Sequence, residues 1–85
     1  MPTVLKKDGF SVRIYTNDHL PSHVHVFKAQ GEVKINLGSE TERPSLIQVL
    51  NMSNKDATKA LNLVIAHQLE LLTKWREIHG EPTTE

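Results

Sequence analysis

The chain has no cysteine, which excludes disulfide bridges and thiolate metal centres. It has no excess of either charge: Lys+Arg and Asp+Glu are both 10, and the net charge is zero with histidine neutral. On bulk charge it is therefore no strongly basic nucleic-acid binder, although a local basic patch stays open. No apolar run approaches the length of a membrane span. The opening residues Met1-Pro2-Thr3-Val4-Leu5-Lys6-Lys7-Asp8 lack the apolar stretch of a signal peptide, so a cytoplasmic protein without membrane contact is expected. At 85 residues there is room for one small domain. Such a domain buries a modest share of its surface and is marginally stable, so self-association or a partner is expected.

What the chain does have is histidine in one place. Three of its five histidines fall between His19 and His25, in the stretch His19-Leu20-Pro21-Ser22-His23-Val24-His25-Val26. Histidine titrates near neutral pH, is the usual general acid or base, and is the commonest metal ligand.

Around this stretch the pattern is that of short strands. Residues 3–5 are β-prone, and Asp8-Gly9 is a strong hairpin signal because both turn positions need positive φ. In residues 10–15, Phe10, Val12 and Ile14 alternate with Ser11, Arg13 and Tyr15, the period of a half-buried strand. Pro21 forces an extended approach to the next strand. That strand, residues 23–29, puts Val24 and Val26 on one face and His23, His25 and Phe27 on the other. Gln30-Gly31 reads as a turn. Residues 32–37 alternate again, with Val33, Ile35 and Leu37 inward and Lys34 and Asn36 outward. Residues 46–50 are a weaker strand whose apolar run lacks clean alternation.

Ser53 opens a helix, with Asp56 in the capping-box position. Ala57, Leu61, Val64, Leu71, Trp75 and Ile78 then recur at helical spacing, and Gly80 with Pro82 ends the pattern. Gln68 interrupts the stripe, its amide expected to reach water or a backbone group. Glu70 and Lys74 are spaced for an ion pair. A continuous helix from Asn54 to His79 would be about 39 Å long, against about 20 Å for a six-residue strand. Its end near Trp75 and Ile78 is therefore expected to overhang the sheet and meet a second chain, giving a homo-oligomer through the C-terminal helix.

These elements predict an α+β fold: an antiparallel sheet of four to five short strands with one long C-terminal α-helix packed on one face. Residues 1–80 form the single domain and residues 81–85 a flexible tail. The helix side collects the valines and isoleucines. The other side collects Arg13, Tyr15, His23, His25, Lys34 and Asn36, with His19 in the loop beside them. A polar outer face is also the default for an antiparallel sheet.

Three chemistries compete for that face. In metal-independent ribonuclease chemistry, His19, His23 and His25 supply the catalytic acid and base, Arg13 or Lys34 stabilises phosphate charge, and Tyr15 or Phe27 binds substrate by stacking on a base. In the metal reading, His-x-His on one strand forms half of a site for zinc or a similar divalent ion, His19 is a third ligand, and Asp18 or water completes it. In the third, the imidazoles only hydrogen-bond the backbone and the domain binds protein. No cofactor follows with certainty.

Met1-Pro2-Thr3-Val4-Leu5, Asp8-Gly9-Phe10, the block from Asp18 to Val26, Gly31-Glu32-Val33-Lys34-Ile35 and Leu72-Thr73-Lys74-Trp75 together resemble the bacterial family of domains of unknown function numbered 4160. The family usually carries Glu before the first motif histidine and a second proline after the first; here those positions hold Asp18 and Ser22. The resemblance implies no activity. Members look like small cytoplasmic proteins encoded beside another small protein, in a toxin–antitoxin-like arrangement, and this implies RNA or a neighbouring small protein as partner. Its motif histidines correspond to His19, His23 and His25.

Overall fold

The computed structural model describes residues 3–80. Five strands, β1 (Thr3–Lys7), β2 (Phe10–Arg13), β3 (His23–Lys28), β4 (Gly31–Asn36) and β5 (Ser45–Leu50), precede two helices, α1 (Asn54–Ala66) and α2 (Gln68–His79). The strands pair in chain order, β1-β2-β3-β4-β5, every pair antiparallel. The α+β class and the antiparallel sheet are as expected. The tail expected over residues 81–85 lies outside the described residues.

Side-chain alternation builds the two layers. Val12, Ile14, Val24, Val26, Val33, Ile35 and Leu37 are fully buried, and they meet Ala60, Val64, Leu71, Leu72 and Trp75 of the helices in one core. Each such aliphatic side chain contributes roughly 1.5–3 kcal/mol of transfer free energy, so the face that carries the core is strongly specified. A one-residue slip of β3 would exchange Val24 and Val26 for His23 and His25.

Local signals act as their chemistry dictates. Asp8 and Gly9 both have positive φ (56° and 85°), closing the β1–β2 hairpin. Ser53 caps α1, its Oγ accepting from the Asp56 N–H at 3.1 Å. The β3–β4 turn falls on Ala29 and Gln30, one residue earlier than expected, with Ala29 at φ 52°. Gly31 instead opens β4, and it is glycine because a Cβ there would strike the carbonyl oxygen of Asn51.

The expected single helix is two. At His67 (φ −117°, ψ 21°) the helical path breaks for one residue. The ladder nearly bridges the break: the His67 N–H bonds the carbonyls of Leu63 and Val64, and its own carbonyl accepts from the Leu71 N–H at 2.9 Å. The physical reason lies next door. Gln68 Nε2 is shared among the carbonyls of Leu37, Ser39 and Glu42 at 2.9, 2.7 and 2.7 Å. The polar interruption in the stripe ties the helix to the loop after β4, and a single straight helix gives way to that tie. The Glu70–Lys74 pair is also not the one formed: Glu70 lies 3.2 Å from His67, and Lys74 lies 3.7 Å from Glu77.

Trp75 lies over the core at 2 % exposure, so the overhang expected at Trp75 does not occur. Exposed apolar side chains cluster instead on β5, where Leu46, Ile47, Val49 and Leu50 are 39–49 % exposed, with Leu20 and Leu69 exposed singly. β5 and β1 are the two sheet edges. β1 ends in exposed Lys6 and Lys7, a common protection of an edge strand, whereas β5 carries no charge. No described helix is long and apolar enough to cross a membrane.

Candidate functional site

The connection between β2 and β3 folds back over the start of β3. It is anchored by a tight turn in which the Asp18 N–H donates to the Tyr15 carbonyl at 3.1 Å and the Tyr15 N–H donates to Asp18 Oδ2 at 3.0 Å. With Oδ2 held by the backbone, Oδ1 is turned toward β3. There it lies 3.3 Å from His25 Nε2 and 3.4 Å from His23 Nε2. Further along, the Leu37 N–H donates to the Ser22 carbonyl at 2.9 Å and pins the end of the loop to the chain leaving β4.

The far nitrogen of each ring is also committed. His23 Nδ1 donates to the Pro21 carbonyl at 3.0 Å, an oxygen that can only accept. His25 Nδ1 donates to Glu32 Oε2 at 3.0 Å, a carboxylate oxygen that accepts when ionised. Both rings are thereby held with the proton on Nδ1, and both Nε2 atoms aim at the same oxygen of Asp18. Such a fixed Nδ1–H contact is how metal-binding histidines are oriented.

The cluster is well covered. Side-chain exposure is 8 % for His23, 14 % for His25 and 12 % for Asp18. The rings pack edge-to-face at 5.1 Å; Tyr15 stands 4.9 Å from His25, and Trp75 of α2 lies 5.5 Å from His23. Burial acts to raise the Asp18 carboxyl, but the Tyr15 N–H, the His25 hydrogen bond and the charges of His23 and His25 outweigh it. The net result lies below its ordinary value of 3.8.

Asp18, His23 and His25 each offer one ligand atom, and these atoms lie within 4.8 Å of one another. Two ligands about 2.1 Å from a tetrahedral ion stand about 3.4 Å apart. The two nitrogen–oxygen separations, 3.3 and 3.4 Å, match that edge.

The structure brings together most of the residues picked out by sequence. Arg13 and Lys34 are the direct cross-strand partners of His25 on β2 and β4, and Tyr15 lies beside the same ring. His19 is exposed in the loop and is not in the cluster; its neighbour Asp18 is. Two further contributors were not foreseen. Glu32 lies diagonally across the β3–β4 hairpin from His25, two residues from its direct partner Lys34; diagonal neighbours on one face are within side-chain reach, so the hairpin register held the signal. Trp75, read as core or interface, also backs His23. A separate cleft of about 640 Å³, lined by Lys7, Phe10, Lys28, Lys59 and Leu63 among others, shares no residue with this cluster.

A family model described as a domain of unknown function (DUF4160) matches residues 9–76, a span that includes every residue of the cluster. Comparison with curated proteins and with solved structures gives no match.

Proposed function

We propose, for a chain that belongs to the DUF4160 family, a divalent-metal-binding function in which Asp18, His23 and His25 hold one ion. The observation that carries this reading is the convergence of two Nε2 atoms on one carboxylate oxygen, each on a ring whose Nδ1 is already committed as a donor. Positive charge, carried by protons or by an ion that displaces them, holds these three atoms together in a covered site. Two imidazoles and a carboxylate suit zinc or another imidazole-binding divalent ion, and they leave coordination positions for water or a ligand. Glu32 and the Pro21 carbonyl act through the histidines, as positioning groups.

This geometry favours the metal reading over metal-free ribonuclease chemistry. His23 is buried with both nitrogens engaged, and His19 stands apart, so no pair of free imidazoles brackets an open position. A role in a toxin–antitoxin-like module rests on the sequence resemblance alone.

The test is calorimetric titration of zinc into untagged, chelator-treated protein. One equivalent is expected to bind, to be lost in His23→Ala, His25→Ala and Asp18→Asn, and to persist in His19→Ala. No binding, or binding that survives these three substitutions, overturns the proposal; protons on the Nε2 atoms would then account for the cluster.

A further inference from the structure

We infer that the metal site is half of a larger one, and that the loaded protein captures a phosphate group, as a phosphate monoester or diester, between the ion, Arg13 and Lys34. The inference rests on the metal reading proposed above. Its structural basis is a row across three strands: Arg13 on β2 pairs with His25 on β3, and His25 pairs with Lys34 on β4. Directly paired residues project on the same face, and adjacent strands are about 4.8 Å apart. The Arg13 and Lys34 positions therefore flank that of His25, one on each side and on the same face of the sheet.

Neither cation is spent on a carboxylate: among the described residues, no ion pair involves Arg13 or Lys34. Arg13 is nevertheless fixed, with its guanidinium 4.3 Å from the centre of the Phe27 ring. Its Nε is buried and has no hydrogen-bond partner among the described residues. A buried donor without an acceptor is costly and calls for an explanation. An arginine held on an aromatic face with its fork unused is prepared for an oxyanion. Tyr15, beside His25, adds a phenol to the rim.

Charge shows why the ion comes first. With both imidazoles neutral, Asp18 and Glu32 carry two negative charges and Arg13 and Lys34 two positive ones, so the metal-free face is balanced. A bound dication makes it doubly positive. The geometry also selects the anion. A tetrahedral phosphate presents oxygens in several directions, enough for an ion and two cations on neighbouring strands. A planar carboxylate reaches two.

The experiment uses full-length protein carrying one equivalent of zinc, with free metal removed. It is titrated separately with inorganic phosphate, with adenosine monophosphate and with a fluorescein-labelled single-stranded RNA; the three arms distinguish free phosphate, a nucleotide and an RNA backbone as the source. Binding of at least one probe is expected, and it should weaken about tenfold or more in Lys34→Gln and in Arg13→Gln, the scale of one lost charge-assisted hydrogen bond, with zinc stoichiometry unchanged. Arg13→Lys keeps the charge and loses the fork, and is expected to fall between. The metal-free protein should bind no probe measurably. Zinc bound with no probe affinity, equal affinity with and without zinc, or wild-type affinity in the Arg13→Gln/Lys34→Gln double variant overturns this inference and leaves the metal site standing. Failure to bind zinc overturns both.

Discussion

Glu32 offers the sharpest test of how the site is built, because it is expected to touch no ion. Its Oε2 accepts from His25 Nδ1 at 3.0 Å, on the side of the ring away from Asp18. Glu32→Gln keeps the size of the side chain and an acceptor oxygen and removes the charge. Losing such a partner typically weakens metal binding 10–100-fold, which is about 1.4–2.7 kcal/mol. Linkage turns this into a stability readout. At a free zinc concentration about 100 times the wild-type Kd, bound metal adds about 2.7 kcal/mol to folding. At the same concentration a variant weakened tenfold gains about 1.4 kcal/mol, and one weakened 100-fold about 0.4 kcal/mol. The zinc-induced rise in Tm, at about 4–8 °C per kcal/mol for a domain of this size, should therefore shrink to half or less. Competition with a chromophoric chelator measures the affinity and thermal melts measure the linkage. An unchanged affinity would refute the positioning role. A loss as complete as that of His25→Ala would refute it differently, by making Glu32 a ligand.

Other predictions follow from the fold and the charge balance. Gln68→Ala leaves the carbonyls of Leu37, Ser39 and Glu42 without their shared donor, and should cost about 1–3 kcal/mol in urea unfolding. Gly31→Ala drives a methyl into the Asn51 carbonyl and should destabilise by about 1–3 kcal/mol, although glycine-to-alanine at an unconstrained strand position is stabilising. In metal-free protein the folded-state Asp18 carboxyl lies below its ordinary value of 3.8. Its contribution to stability is thus complete above that value and lost as pH falls through the depressed folded value. Urea unfolding from pH 6 down to pH 2 should show this acid-side loss, reduced in Asp18→Asn.

Much of this architecture is legible from side-chain order. Alternation at Phe10, Val12 and Ile14, at Val24 and Val26, and at Val33, Ile35 and Leu37 assigns every core position of the three central strands, since a strand has only two faces. The same phase puts Arg13, His25 and Lys34 on the opposite face, and the short connections make them neighbours. The kink at His67 is not legible, because it depends on where Gln68 finds carbonyls some 30 residues earlier in the chain. Loop geometry hides the choice between His19 and Asp18. Adjacent residues in a loop follow no period, and Asp18 turns inward because its other oxygen meets the Tyr15 N–H. β5 is ambiguous for a related reason: a short apolar run fits a buried strand as well as an exposed edge, and only sheet order shows that it is an edge.

The central claim is the metal site, and anomalous diffraction from zinc-soaked crystals of the full chain tests it most directly. The account predicts a single strong peak at the zinc edge, about 2.0–2.2 Å from Asp18 Oδ1, His23 Nε2 and His25 Nε2, with the Glu32 carboxylate on His25 Nδ1. Zinc held instead at His19, His67 or His79, with no density among those three ligand atoms, would contradict it.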